Sequence, residues 1–156
     1  MDESTLEVLL QSLKQEDEYQ RELATAALWQ RWFYQKGEAG NRQLQDAQAL
    51  IDQGQIDRAE ALLSALVVEL PDFAEAWNRR AVLYYLQHRY LEAMTDCQRA
   101  IDLVPYHFGA LHGLGLCYAA LGQYEEAIQA FRRALVVQPY ALVNQRLILE
   151  CTARLS

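Results

Sequence analysis

The side chains best suited to metal binding or covalent chemistry in this 156-residue chain are three histidines and three cysteines, and their spacing gives them little to do. No HExxH, GxSxG, P-loop or GxGxxG occurs, and no Cys/His set has metal-ligand spacing. Cys117 and Cys151 stand 34 residues apart, in one column with Ala49 and Leu83, which marks small apolar filler rather than reactive thiols. His88 falls at a turn, where a left-handed backbone suits His better than most residues. His107 precedes a helical stretch, and His112 lies within it. The scattered carboxylates read as solvated helix faces. The expectation is a chain with no catalytic residue, no metal ligand and no cofactor.

Composition narrows the partners. The formal charge is −7 and the pI about 4.9, so the chain repels phosphate backbones and nucleic acid is not expected. The charge is uneven: residues 1–39 and 40–73 carry −4 each, 74–107 are balanced, and 108–156 carry +1. Plain solubility accounts for that spread. Cys97, Cys117 and Cys151 form no CxxC pair and are odd in number, which fits reduced thiols. The first residues, MDESTLEVLL, lack the basic start and apolar run of a signal peptide. No stretch approaches a membrane span, so a cytoplasmic location is expected.

The elements that must position any site follow from the prolines. Pro71, Pro105 and Pro139 are spaced by 34 residues, and other columns keep the same period. Ala59, Ala93 and Ala127 are identical, and Ala47, Ala81 and Gly115 are all small. Leu63, Cys97 and Phe131 form an apolar column, as do Leu50, Tyr84 and Tyr118. Within the third unit, Leu111, Leu114, Gly115 and Tyr118 make one helical stripe, and Tyr124, Ala127, Ile128, Phe131 and Ala134 make a second. Gly122 between them suits a left-handed helix end, and Pro139 stops the second helix. Each unit therefore reads as a helical hairpin whose small residues let two backbones approach.

On these residues the chain resembles the tetratricopeptide repeat family. The third unit, 108–141, matches at Leu111, Leu114, Gly115, Tyr118, Gly122, Tyr124, Ala127, Phe131, Ala134 and Pro139. The second, 74–107, keeps Trp77, Ala81, Tyr84, Tyr90, Ala93, Ala100 and Pro105, with His88 and Arg80 where the family prefers Gly and Leu. The first, 40–73, keeps Ala47, Leu50, Gly54, Ala59, Leu63 and Pro71, but has Gln43 and Asp46 at apolar places. The resemblance implies an all-α, right-handed helical-hairpin solenoid. Residues 1–39 would form a helical extension, 40–141 three repeats, and 142–156 a capping helix with a polar outer face.

It also implies a concave groove that holds a protein or peptide, lined by Leu44, Gln48, Asn78, Arg79, Val82, Tyr85, His112, Leu116 and Arg146. Val82, Tyr85 and Leu116 would anchor the partner, while Asn78, Arg79, His112 and Arg146 orient it. Some relatives grip a terminal carboxylate with Lys, Asn and Arg; here Leu44 and His112 stand where lysines are expected. The function implied is an adaptor, assembly factor or co-chaperone-like module.

The extension opens with an S-T-L-E capping box at Ser4–Glu7 and a Leu6, Leu9, Leu10, Leu13 stripe. A longer helix is predicted over Glu18–Lys36, ended by Gly37 and Gly40. It either continues the stack as a degenerate pair or folds elsewhere on the solenoid. Its rings Trp29, Trp32 and Phe33 either pack on the first repeat or make a homodimer seam, the alternative being a self-associating structural protein.

Overall fold

The computed structural model describes residues 3–156. Among these, nine helices and no strands occur. They are α1 (Glu3–Ser12), α2 (Glu18–Phe33), α3 (Gly37–Asp52), α4 (Ile56–Glu69), α5 (Ala74–Leu86), α6 (Tyr90–Leu103), α7 (Phe108–Ala120), α8 (Tyr124–Val137) and α9 (Leu142–Arg154). The starts and ends of α4, α6 and α8 repeat at 34 residues, as do those of α5, α7 and α9. The helices are the 34-residue period made solid.

Each hairpin turns through one left-handed residue: Gly54 at φ 76°, His88 at φ 61° and Gly122 at φ 75°. Position 88 thus adopts the glycine conformation with a histidine, whose Nδ1 lies 2.6 Å from the Tyr90 hydroxyl. The predicted columns form the interior. Ala59, Ala93 and Ala127 are fully buried, as are Leu63, Cys97 and Phe131 to within 2%. The largest side chain of that column, Phe131, packs on the smallest residue of the facing column, Gly115. A Cβ on Gly115 would stand 2.4 Å from the Phe131 ring, so only glycine fits.

The Arg80 departure has a partner. Its guanidinium grips the Asp96 carboxylate of α6 through bonds of 2.7 and 2.9 Å. Burial pushes the Asp96 carboxyl up against the pull of Arg80. The bond to Asp96 raises Arg80 in turn, and the bidentate geometry keeps both groups charged.

Three expectations need correction. Helix α1 already contains Glu3, so Ser4 lies inside its first turn rather than capping it. Gly37, at φ 71°, opens α3 instead of ending α2, which stops at Phe33; the first hairpin therefore starts three residues before Gly40. The outer side of α9 is only partly polar, with exposed leucines beside Gln145 and Thr152. Leu142 and Leu149 are 75% and 71% exposed there, whereas one period earlier Phe108 is buried against α2 and Gly115 against Phe131 of α8.

Candidate functional site

The first helices of the hairpins, α3, α5 and α7, line up with α9 to make one face of the solenoid. Residues 34 apart lie side by side on it, because each helix repeats the orientation of the last. The groove columns are Leu44, Asn78, His112 and Arg146; Gln48, Val82, Leu116 and Glu150; and Ile51, Tyr85, Ala119 and Ala153.

The N-terminal helices decide how much of that face is open. Helix α2 does not stack on α3 as a further repeat. It runs along the edge formed by the proline loops, reaching all three. Past its C-terminal end, Gln35 donates to the Asp72 carbonyl at 2.8 Å and accepts from the Ala74 N–H at 3.4 Å, while Lys36 pairs with Asp72 at 2.7 Å. In its last turns, Trp32 stacks on His107 with centroids 4.0 Å apart, and Trp29 meets Phe108 edge-on at 5.3 Å. Near its start, Thr25 accepts from Gln138 at 3.4 Å, and the Arg21 guanidinium sits 4.2 Å over the Tyr140 ring. The stations centre near residues 35, 30 and 23, about five to seven residues apart, or about 8–11 Å of helix. That matches the spacing of about 8–10 Å between packed helices, so one straight helix reaches each loop in turn. Gly109 makes room for it, since a Cβ there would stand 2.6 Å from Trp29.

Beneath the strap lies a buried polar cluster. Glu75 and His107 are both fully buried. The Ala110 N–H donates to His107 Nδ1 at 3.0 Å, which leaves Nε2 as the ring's donor to Glu75 at 2.9 Å. Asn78 donates to both Glu75 oxygens at 3.3 and 3.4 Å, and Arg79 Nε donates at 3.0 Å. The carboxylate is thus surrounded by donors, as a buried charge requires. Arg79 also reaches the Gln48 side-chain oxygen at 3.1 Å, and its guanidinium lies 5.0 Å from the Phe33 ring centroid.

The predicted groove residues therefore separate into two groups. Leu44 and Asn78 are withdrawn into the interior, at 3% and 5% exposure. Arg79 and Gln48 are tied into the polar cluster. His112 is half-buried, its Nδ1 2.6 Å from the Asn144 side-chain oxygen. Val82 is exposed, and Tyr85 and Leu116 line a cavity of about 500 Å³ with Ala119, Tyr124, Leu147 and Cys151. Arg146 is exposed and sits 3.5 Å from Glu150. The hollow between Phe33, Leu44, Gln48 and Arg79 holds only about 170 Å³. Helix α2 closes one half of the face and leaves the other open.

The Trp seam expected for a dimer is spent inside the molecule: Trp32 is 2% exposed and packs with Leu13, Ala24, Leu28 and Phe108. The cysteines are buried, and burial pushes the Cys151 thiol up. Two site features escaped the sequence reading, Glu75 and His107. The signal was present, since a Glu at 75 and a His at 107 interrupt columns that are otherwise uncharged at Gly109 and Phe73. No described helix is long and apolar enough to cross a membrane.

The family model for the tetratricopeptide repeat matches residues 72–137. A TPR repeat-containing protein of Rhizobium etli is 31% identical over 99 residues, covering 64% of this chain and 48% of that protein. The chain thus spans about half the length of this relative. Among solved structures, the first TPR of Spaghetti (RPAP3) bound to the HSP90 peptide SRMEEVD superposes with a TM-score of 0.69 at 22% identity, covering 71% of this chain and 88% of that one. The crystal structure of MamA gives 0.68 at 24% identity, covering 72% and 61%.

Proposed function

The chain is a tetratricopeptide repeat protein, and on that premise we propose that it is a non-enzymatic adaptor or assembly module that holds a segment of a partner protein against its concave face. The observation that carries this reading is the cavity between α5, α7 and α9, lined by Tyr85, Leu116, Tyr124 and Leu147 with Glu150 and Arg154 beside them, and left uncovered by α2. Exposed apolar side chains gathered in a concavity mark recognition surfaces more often than chance placement does. The RPAP3 repeat domain, of similar fold, was solved with a peptide bound, which supports the same use of this face. The side chains first expected to orient the partner divide: Arg146 remains available, whereas Asn78 serves the interior.

The test compares capture of partners by the wild-type chain and by Tyr85→Ala/Leu116→Ala, with thermal melting as the control for folding. Loss of captured partners with a melting curve still cooperative supports the reading. An unchanged set of partners contradicts it. Self-association through Trp29, Trp32 and Phe33 is not favoured, because the folded chain uses these rings internally.

A further inference from the structure

We infer that Cys97, Cys117 and Met94 form a three-sulfur site for one soft monovalent metal ion, Cu(I) or its analogue Ag(I), at the seam between α6 and α7. Of the four sulfur-bearing side chains after Met1, three belong to this seam. Ligand spacing along the chain does not reveal it, because the two cysteines stand on different helices.

The helix register places the sulfurs. A Cβ on Gly113 of α7 would stand 3.2 Å from the Cys97 sulfur, so Cys97 lies opposite Gly113. One turn earlier on α6, Ala93 shares a core cluster with Cys117, which is one turn later on α7. The two helices therefore run antiparallel, with the cysteines one turn out of step. Side chains lean toward the N-terminus of their own helix. Cys97 thus leans toward the level of Cys117, and Cys117 toward the level of Cys97. The Cys97 thiol donates toward the Cys117 sulfur, which lowers the Cys117 thiol and raises its own. Met94, one turn before Cys97, packs against the core clusters of both cysteines. Both cysteines are free and buried, while Met94 and Gly113 are only half-buried. The sulfurs therefore lie one layer beneath the surface.

The stagger selects the occupant. One turn of offset between closely packed helices separates the two Cα atoms by about 7–8 Å, at the outer limit for a disulfide. An ion between the sulfurs spans that gap, because two metal–sulfur bonds take the place of one sulfur–sulfur bond. Thiolate and thioether donors together favour Cu(I) over harder cations. Zn²⁺ would want four ligands, and Ca²⁺ or Mg²⁺ would want oxygen donors. The neighbouring carboxylate, Asp96, is already held by Arg80 through two bonds. On binding, both S–H bonds break, two protons leave to solvent and two metal–thiolate bonds form.

The test titrates the full chain, reduced and without oxygen, with Ag⁺ alone and with Cu(I) in competition with a chromophoric chelator. One ion should bind per chain and raise the melting temperature, because it stabilises the folded site. In the wild-type chain the Met94 methyl resonance should shift up to one equivalent of Ag⁺ and then stop. Cys97→Ala and Cys117→Ala should each abolish binding and the rise in melting temperature. Met94→Leu should weaken binding about tenfold, whereas Cys151→Ala should bind as wild type. No binding, an ion that lowers the melting temperature, or an unmoved Met94 methyl would overturn the site. So would retention of the ion by Cys117→Ala, or its loss from Cys151→Ala.

Discussion

The Trp32 indole lies flat on the His107 imidazole, with ring centroids 4.0 Å apart and planes inclined by 16°. This contact joins the N-terminal strap to the buried Glu75 cluster, and through it to the second and third hairpins. One helix outside the repeats thereby fixes which part of the concave face is free.

Trp32→Ala should cost about 3–5 kcal/mol, the usual loss for a large buried aromatic. Trp32→Phe should cost much less, under about 1.5 kcal/mol. The indole Nε1 is buried with no hydrogen-bond partner, so removing it sacrifices no bond. Urea denaturation of the two variants would check the ordering.

Glu75→Ala should be among the most destabilising single changes, at about 3–5 kcal/mol. It strands the His107 Nε2–H and the Asn78 amide in a dry interior. The same denaturation assay measures it, and a loss below about 1 kcal/mol would contradict the cluster's buried, fully paired character.

Arg80→Leu and Asp96→Leu should each be costly, because each leaves one buried charge alone. The double variant should lie close to wild type, within about 1–2 kcal/mol, since leucine at position 80 restores the family's residue and no charge remains. A double-mutant cycle reads the coupling directly.

Gly115→Ala should destabilise by about 1–3 kcal/mol, because its methyl would strike the Phe131 ring. Phe131→Leu in the same chain should recover part of the loss by making room for that methyl. Thermal melting of the single and double variants checks this.

The Asp72–Lys36 bond at the strap's C-terminal end should fail in acid. Lys36 holds the Asp72 carboxyl below its ordinary 3.8. A lowered folded-state value means the stabilisation is present above the unfolded pKa and disappears as pH falls through the folded one. Carboxyl NMR titration of Asp72 should therefore give a midpoint below 3.8 that rises toward it in Lys36→Ala.

Much of the fold was legible in the sequence because a repeat states its packing several times over. The alanine column at positions 59, 93 and 127 and the three prolines locate both helices of a hairpin, and each column agrees with the others. Position 88 was readable from its chemistry alone, since His tolerates the left-handed turn. The site was less legible. Leu44, Asn78 and Arg79 belong to groove columns by register, but whether a column is open depends on what crosses it, and α2 lies outside the repeat. Its path rests on partners 37 to 113 residues away, such as Gln35–Asp72 and Thr25–Gln138, which no local period encodes. The bare leucines of α9 were missed for a related reason: a register places Leu142 and Leu149 on the side that faces a second helix, without saying whether such a helix is present.

The most direct measurement places a photo-crosslinking amino acid singly at Leu116, at Gln48 and at Val136, and irradiates each full-length chain in the native extract. Position 116 samples the open half of the face, 48 the half beside the strap, and 136 the exposed side of α8. The expected result is a discrete crosslinked partner from 116 that is absent from 48 and 136. The same partner crosslinked equally from 136, or from 48 alone, would contradict the account.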